Sequence, residues 1–510
     1  MWSAIDKGTA AATSRGQLLG QRIALGLLCV AIAIFAVAAS TQLGEITRKK
    51  LILLGGGGTI ALLAIQYRVV KPVLLFLWVF AYTYNRAYFS FERFLGDFGP
   101  NGPYWVPADL FFVGLLAVWA WERLISKAPS QPVRGRPVWP WLAPYLAICL
   151  ISLFGSERPM WGLFEFLRLL KLGLIFYYVR RNIGRNEWWI IVGAFVVATL
   201  VQASFGCLQM VLRSSGGLLT TLGIGAGSLE DAAAGQTAIG GWIRATGTLS
   251  HPTNLAAYLL LTMPLVFALA LGARSKFYSL LCWGVTAVAF AGMVGTLCRW
   301  PTAVSAVLLT IVLAALTAER TVPVKRSFGI VALAGFLVLM GALPFADSLY
   351  RRLTEDLSDS VKFRQNYFRM AMQRLEPDPI LGLGLSNFGV DMAKWDPDID
   401  WALEKEPEAR HLMHLRAFFT PHNFFLLILS ETGVLGVMAF LVFLAGIGRA
   451  ALRAFQRTSG ELRCACAGLT VGMMGLVAHQ LVDFTLWVDP GLFPFTICAA
   501  LINVAEDVAA

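Results

Sequence analysis

The chain is a series of long apolar runs separated by mostly short polar connections. A helix that crosses a membrane needs roughly 17–25 mostly apolar residues. The pattern therefore predicts an all-α protein with fourteen spanning helices, or twelve to thirteen because the second and third runs are weakly separated. The predicted spans are 22–40, 51–67, 70–84, 105–124, 138–154, 161–179, 188–211, 251–271, 276–297, 301–318, 327–346, 422–446, 462–482 and 488–505.

Two connections are long enough to have a structure of their own. Residues 212–250 contain nine glycines and are predicted to be a mobile loop, or a loop ordered around a ligand. Residues 347–420 carry thirteen acidic and ten basic side chains. Within them, 361–375 show the apolar spacing of an amphipathic helix, and a second short helix is expected at 400–418. The predicted organisation is helices 1–11 in residues 1–346, a polar cap in 347–420 and helices 12–14 in 421–510.

Composition and charge support a membrane protein. Of 510 residues, 57% are hydrophobic and 14% are charged, whereas about 25% are charged in a soluble protein. The net charge of +11 does not indicate nucleic acid, because the basic residues lie in short clusters between apolar runs. Such clusters mark the cytoplasmic side of a membrane protein. Fourteen helices put all five clusters on one side, so both long connections face outward; the clusters are 123–136, 180–185, 274–276, 320–326 and 449–463.

The eight cysteines lie inside or beside apolar runs. This placement predicts small buried thiols, with neither a disulfide framework nor a metal site.

The few histidines fall on the predicted outward side. They are residues 251, 411, 414, 422 and 479. Histidine suits proton transfer near neutral pH. His422 begins a spanning helix directly after the polar cap, so it is the first candidate for a base. The alternative is that His422 and Asn423 only cap the helix. His479 and Asp483 lie one helical turn apart, which favours a structural pair, although His479 is retained as a substrate-binding candidate.

Arginines also occur where the outward side makes them unusual. They are Arg244, Arg299, Arg364 and Arg369. Arginine binds phosphate and diphosphate through planar bidentate contacts. Several together favour an anionic ligand, whereas any single one could pair with a loop acid or a lipid headgroup. Within the membrane, Glu165 and Arg168 are spaced for an internal ion pair. Glu431 follows His422 by nine residues, about half a turn away round the helix, and is predicted to be a structural acid.

Three sets of residues together resemble the superfamily of O-antigen ligases and O-antigen polymerases. The first runs from Pro421-His422-Asn423 to Glu431-x-Gly433-x-x-Gly436. The second combines Arg364-x-x-Tyr367 with 379–388, and the third runs from Arg244-x-x-Gly247 to His251-Pro252-x-Asn254. Cys298-Arg299 stands where the family usually has Ser-Arg, and Tyr367 stands near a usual Trp. The likeness covers about residues 240–445.

The resemblance implies an inverting, metal-independent and cofactor-free membrane glycosyltransferase of GT-C-like architecture. It would act at the periplasmic face of the bacterial inner membrane on a glycan carried by undecaprenyl diphosphate. Carried over residue by residue, His422 would be the general base, and Arg299 and Arg364 would hold the diphosphate. Arg244 and Asn423 would position the substrates, and Arg369 would assist. Membrane lipids and other polysaccharide-assembly proteins are the further expected partners.

The family contains two activities that these motifs do not separate. A polymerase joins lipid-linked repeat units, and a ligase moves finished glycan to lipid A core or to protein. The number of spans and the modest cap favour the polymerase by analogy only. A membrane transporter is the alternative from another class, and it predicts paired charges near the bilayer midplane and an inverted repeat. No internal repeat is evident in the sequence.

Overall fold

The computed structural model describes residues 70–84, 106–124, 136–212, 238–239, 242–249, 251–320, 322–323 and 421–509, and within the cap residues 365, 368–369, 371–373, 375 and 378–389. The helices of this part of the chain are α1 (Val70–Ala81), α2 (Pro107–Leu124), α3 (Trp139–Ser152), α4 (Pro159–Asn182), α5 (Arg185–Leu212), α6 (Pro252–Gly272), α7 (Lys276–Gly295), α8 (Arg299–Ala318), α9 (Phe424–Arg457), α10 (Gly460–His479) and α11 (Asp489–Ala509). A short 3-10 turn, Leu153–Gly155, follows α3. Two-residue strands β1 (Ala238–Ile239) and β2 (Trp242–Ile243) pair antiparallel.

Every predicted span that falls within the described residues forms a helix. Seven of these helices, α5 to α11, are long and apolar enough to cross a membrane. The chain is therefore an all-helical, multi-pass membrane protein apart from the small β pair. The spans predicted at 22–40, 51–67 and 327–346 and the helix predicted at 400–418 lie outside the described residues. The total of fourteen and the GT-C-like architecture remain predictions. The described cysteines are free thiols, and all but the half-buried Cys207 are buried.

Helix α6 lies at the centre of the bundle. It packs along α10 and also contacts α5, α7, α8 and α11. The close contact with α10 depends on small residues: a Cβ atom on Gly468 or Gly472 would collide with the α6 backbone at Leu265 or Leu261. Membrane helices associate through such close backbone approach, because lipid removes most of the hydrophobic driving force between them.

Successive helices run in alternating directions, so the bundle has two distinct ends. The described members of the five basic clusters lie together at one end, called here the basic end. Ion pairs connect neighbouring helices there, among them Arg463 Nη1 to Glu319 Oε2 at 2.7 Å and Arg457 Nη1 to Glu506 Oε2 at 2.8 Å. The candidate arginines and histidines that the structure describes lie at the opposite end, called here the site end.

Partly buried ion pairs lie between α2, α4 and α11. Arg168 Nη2 contacts Glu165 at 2.6 Å, and its Nη1 contacts Asp489 at 2.8 Å. One turn further along α4, Lys171 Nζ lies 2.6 Å from Asp109. The predicted Glu165–Arg168 pair therefore forms, and it extends to a second acid that the sequence spacing did not indicate.

Candidate functional site

Arg299 and Arg244 meet at the tight turn between α7 and α8. Arg299 is the first residue of α8, and Leu297 makes the turn with a φ of 52°. From the segment before α6, Arg244 Nε donates to the Thr296 carbonyl at 3.0 Å, and its Nη2 lies 3.1 Å from Cys298 Sγ. Two guanidinium groups that are 55 positions apart in sequence are therefore held on one turn.

Within the part of the chain that the structure describes, Arg299 has donor capacity that is not used. Its side chain is half-buried. Among the described residues, its buried Nε has no hydrogen-bond partner. A buried unpaired donor costs free energy, and a charged one costs more. An anion bound beside α8 would satisfy it.

Two buried glutamines of α5 hold the segment that carries Arg244. Gln209 Oε1 accepts from the amides of Thr246 and Gly247 at 2.9 and 3.0 Å. Gln202 Oε1 accepts from the Thr248 amide at 2.9 Å, and its Nε2 donates to the Thr248 hydroxyl at 2.7 Å. These amides come from a stretch that forms no helix or strand ladder. Gln202 and Gln209 were not predicted as site residues; the available signal was two amide side chains inside an otherwise apolar run.

His251 ends the same segment and caps α6. Its Nδ1 lies 2.6 Å from the Thr253 hydroxyl and 3.3 Å from the Thr253 amide nitrogen. Partial burial is the main cause that lowers the pKa of His251 to about 4, and the neighbouring Arg244 and His422 contribute in the same direction. The structure thus brings His251, Arg244 and His422 within electrostatic reach of one another. His251 was noted in the motif but was not predicted as a site residue.

His422 occupies an unusual backbone conformation. Its φ of 47° lies in the left-handed region, which is uncommon for residues other than Gly, Asn, Asp and His. Such outliers occur often at functional sites. The imidazole packs edge-on against the ring of Phe484, with 5.3 Å between ring centroids. The side chain is half-buried at the start of α9.

Asn423, the next residue, is the N-cap of α9. Its Oδ1 accepts from the Leu426 amide at 3.0 Å, and its Nδ2 donates to the Leu481 carbonyl at 2.9 Å. The Phe424 amide is shared between the carbonyls of Gln480 and Asp483, both at 3.0 Å. Asn423 therefore caps the helix, as the alternative interpretation of His422 and Asn423 predicted. The His422 ring does not cap α9 and instead packs against the α10–α11 connection. A substrate contact by Asn423 remains a prediction.

A pocket of about 940 Å³ opens beside His422. Its walls include Arg369, Phe368 and Met372 from the cap, together with Leu481. The described residues between 365 and 375 are mostly helical, in agreement with the amphipathic helix predicted there. Arg369 is exposed at the pocket wall. The structure thus brings one predicted substrate-binding arginine to His422. The pocket combines a basic group with apolar walls.

Helix α9 is kinked about two turns beyond the pocket. Gly433 has φ 66° and ψ −169°, which no helical residue adopts. The kink breaks the helical hydrogen bonds that the amides of Val434 and Leu435 would otherwise make to the carbonyls of Ser430 and Glu431. Four buried backbone groups would be left without partners.

Residues 379–388 supply all four missing partners, and this pairing is called here the glycine lock. Two carbonyls of the loop accept from the α9 amides, and two amides of the loop donate to the α9 carbonyls. The bonds are Val434 N to Pro379 O at 2.9 Å, Leu435 N to Ile380 O at 3.4 Å, Leu383 N to Ser430 O at 2.9 Å, and Gly384 N to Glu431 O at 2.9 Å. The sequence motifs at 379–388 and 431–436 are therefore joined by backbone hydrogen bonds in the fold.

The buried side chain of Glu431 serves the same lock. Its Oε1 lies 3.4 Å from the Phe388 amide, which donates to it. Asn387 extends the contact to the α3–α4 connection, where its Oδ1 accepts from the Arg158 amide at 2.8 Å. This geometry fits the structural role predicted for Glu431, and it puts the carboxylate in the loop anchor, away from the pocket walls described above.

The remaining site predictions lie elsewhere. His479 is buried, with Nε2 3.8 Å from Asp483 Oδ2, and is not among the described pocket-lining residues. The pair predicted from sequence is thus close, and its substrate role remains untested. Arg364, His411 and His414 lie outside the described residues. No group of three or more His, Cys, Asp or Glu in the described part of the chain is arranged to hold a metal.

Comparison with known proteins supports the motif resemblance. Residues 253–441 match the model of a family described as O-antigen ligase. The matched segment begins in the first turn of α6 and ends inside α9, so it contains Arg299, Arg364, the glycine lock and His422. Arg244 and His251 lie just before it. No curated protein matches the chain.

Proposed function

We propose that this chain, which belongs through residues 253–441 to the superfamily of O-antigen ligases and polymerases, transfers a glycan from a lipid diphosphate to an acceptor hydroxyl. The donor would be a glycan on undecaprenyl diphosphate, and the acceptor a second glycan. The reaction would proceed with inversion and without a metal. The site end would face the periplasm, and the basic end the cytoplasm, in agreement with the positive-inside rule.

The observation that carries this proposal is the convergence of the motif residues at the site end. Arg244 and Arg299 share one turn, Arg244 acts electrostatically on His251, and His251 is close to His422. A diphosphate leaving group develops negative charge as the glycosidic bond breaks, and preorganised cations stabilise that charge. The Nε of Arg299, which has no hydrogen-bond partner among the described residues, is a ready donor for such an oxygen.

In the proposed step, the acceptor hydroxyl oxygen attacks the anomeric carbon of the donor. The bond between that carbon and the diphosphate oxygen breaks, and the diphosphate leaves with the electron pair. His422 takes the hydroxyl proton, and Arg299, Arg244 and Arg364 hold the leaving group. Attack from the side opposite the diphosphate gives inversion. Removal of a proton by a positioned base contributes about 10²- to 10⁴-fold in rate.

The pocket beside His422 suits a substrate that is partly polar and partly apolar. Arg369 offers charge-assisted donors, while Phe368, Met372 and Leu481 offer apolar surface. A sugar held next to a lipid-linked phosphate has this mixed character. We therefore assign the pocket to the region where acceptor and lipid-linked donor meet.

A direct transfer assay tests the function. Purified full-length protein in nanodiscs is mixed with lipid-linked glycan extracted from a strain that lacks the gene. Formation of a longer glycan with release of lipid diphosphate is the expected result. Absence of any product from the wild-type protein, with extracted donor that a complemented membrane fraction can use, would contradict the proposal.

Polymerase and ligase differ in the species that accumulate when the gene is deleted. A polymerase defect leaves single lipid-linked repeats, and a ligase defect leaves long lipid-linked chains. We favour the polymerase, by the analogy drawn from the number of spans and the modest cap. Accumulation of long chains in the deletion strain would assign the ligase activity instead.

The partly buried pairs of Arg168 and Lys171 are the feature that favours a transporter. A transporter moves its substrate without changing a covalent bond. The same nanodisc assay separates the two functions, because a transporter yields no new glycosidic bond. Neutralising Arg168 in an active transferase is expected to affect stability more than chemistry, since the change leaves Glu165 and Asp489 buried together.

A further inference from the structure

Two histidines lie near each other at the site end, and their hydrogen bonding differs. The Thr253 amide can only donate, so His251 Nδ1 must be an acceptor at that contact. In a neutral imidazole the other nitrogen then carries the proton. His251 therefore presents Nε2–H on the ring edge turned away from the helix terminus. Neither nitrogen is available to accept a proton from substrate.

The surroundings of His251 keep the ring neutral. The charged and titratable groups that act on it are Arg244, from the same segment, and His422, from the start of α9. Together with partial burial they hold the pKa of His251 at about 4. At neutral pH the ring is a fixed, uncharged donor next to a cation. With so low a pKa the ring is a weak base, and the Thr253 contacts occupy its Nδ1 lone pair, so His251 is poorly suited to act as a general base.

The position of the donor is set by the same contacts that set Arg244. Gln209 and Gln202 hold the amides of 246–248, and the Leu249 carbonyl accepts from the His251 amide at 2.8 Å. The segment therefore carries a cation at one end and a neutral donor at the other. Preorganised donors beside a cation are the arrangement that stabilises developing negative charge.

We propose that His251 is a further substrate-contacting residue of this site, whose Nε2–H donates to an oxygen of the anionic leaving group bound by Arg244 and Arg299. The proposal rests on the transferase function proposed above. It divides the work between the two histidines: His422 accepts the proton of the acceptor hydroxyl, and His251 donates to the departing diphosphate.

The first test separates this role from helix capping. Asn is a strong N-cap residue, so His251→Asn keeps an acceptor for the Thr253 amide and removes the Nε2 donor. We expect kcat/KM to fall about 100-fold, with the melting temperature in detergent unchanged at pH 7.5. The acidic limb of the pH–rate profile is expected to remain. Activity within threefold of wild type would show that His251 only caps α6, which would overturn the proposal. Loss of the acidic limb would show that His251 is the general base, which would also overturn it.

Chemical rescue provides a second test that does not depend on the Asn variant. Gly is also tolerated at an N-cap, and His251→Gly leaves space for an added imidazole. Imidazole retains an N–H when neutral, whereas 1-methylimidazole does not. We expect rescue by imidazole alone. Equal rescue by both compounds would overturn the donor role, and so would full activity of His251→Gly without either compound.

The controls distinguish failure of this inference from failure of the proposed function. Wild-type protein and His422→Asn are assayed in parallel with the same extracted donor. An inactive wild type contradicts the transferase itself. An active wild type with an inactive His422→Asn and a fully active His251→Asn contradicts only the role of His251.

Discussion

The glycine lock lies at the same end of the bundle as Arg244, Arg299, His251 and His422, called here the arginine–histidine cluster. The two regions use their polar groups in opposite ways. In the lock, the four backbone groups released by the kink at Gly433 are paired with residues 379–388. At the turn that carries Arg299, a buried guanidinium nitrogen lacks a hydrogen-bond partner among the described residues. The backbone groups of the glycine lock are hydrogen-bonded within the fold. The cluster still has a guanidinium donor, Arg299 Nε, that no described residue accepts from.

The proposed function divides the sequence motif at 421–436 between scaffold and chemistry. Gly433 and Glu431 belong to the same motif as His422, yet they serve the kink. The kink and the cap of α9 together fix where the helix begins, and thus where the imidazole lies. Substitutions in the lock should therefore lower stability first, and substitutions in the cluster should lower turnover at unchanged stability.

The largest effect is expected at His422. His422→Asn removes the proposed base and keeps a residue that tolerates the left-handed φ of 47°. We expect kcat to fall about 10²- to 10⁴-fold, with no change in melting temperature. Transfer activity and thermal unfolding of the purified protein measure the two quantities. His422→Ala should lose activity equally and also some stability, because Ala carries strain at this φ. A fully active Asn variant would show that His422 is a structural residue and not the base.

Arg299→Lys is expected to have the next largest effect. A lysine keeps the charge and loses the planar fork, so transfer should fall about 10²- to 10³-fold. Arg320→Lys is the matched control, because Arg320 is exposed at the other end of the same helix. Steady-state transfer by the two variants provides the comparison. Equal activity of both would show that a point charge suffices at position 299.

Gly433→Ala should break the lock. A side chain there carries strain from the positive φ, and its Cβ would collide with the Ile380 carbonyl. We expect a loss of more than about 2 kcal/mol in stability, seen as a lower melting temperature and lower yield. Gly448→Ala is the control in the same helix, because nothing lies within 4 Å of its added Cβ. A stable Gly433→Ala protein with full yield would mean that the kink is not needed for folding.

Asn423→Ala tests the boundary between the two regions. Loss of the cap should cost about 0.5–2 kcal/mol, and Asn423→Ser should recover most of it. Thermal unfolding measures both variants, and the transfer assay shows whether Asn423 also contacts substrate. A Ser variant that is stable but inactive would restore the predicted substrate contact.

A pH dependence of stability is also expected from His251. Its pKa is 6.5 when unfolded and about 4 when folded, so between these values the unfolded chain binds more protons. The contribution of His251 to stability is therefore complete above about pH 6.5 and declines as the pH falls to about 4. His251→Asn should not show this part of the decline. Melting curves of both proteins from pH 7 to pH 4 provide the measurement, and parallel curves would contradict it.

Hydrophobic patterning alone was sufficient to predict each helix in the described part of the chain, because a spanning helix is defined by local length and polarity. Counting the predicted spans then placed Arg244, Arg299 and His422 at the same end of the bundle, since each connection between helices reverses the direction of the chain. The boundaries of α9 were less predictable. The span expected at 422–446 continues to Arg457, and its kink depends on a partner loop more than 40 residues earlier.

The sequence by itself determined an all-helical membrane chain, its basic end, and the residue types needed to bind an anion and move a proton. Only the tertiary structure decided which of these groups are already hydrogen-bonded to other parts of the protein. Gln202 and Gln209 look like ordinary polar residues in an apolar run until their amides are seen to hold 246–248. His251 and His422 are the same amino acid, so their side chains have the same chemistry in the sequence. They differ because Thr253 occupies one ring nitrogen of His251 and Arg244 lies beside it, and such contacts exist only after distant segments have packed together.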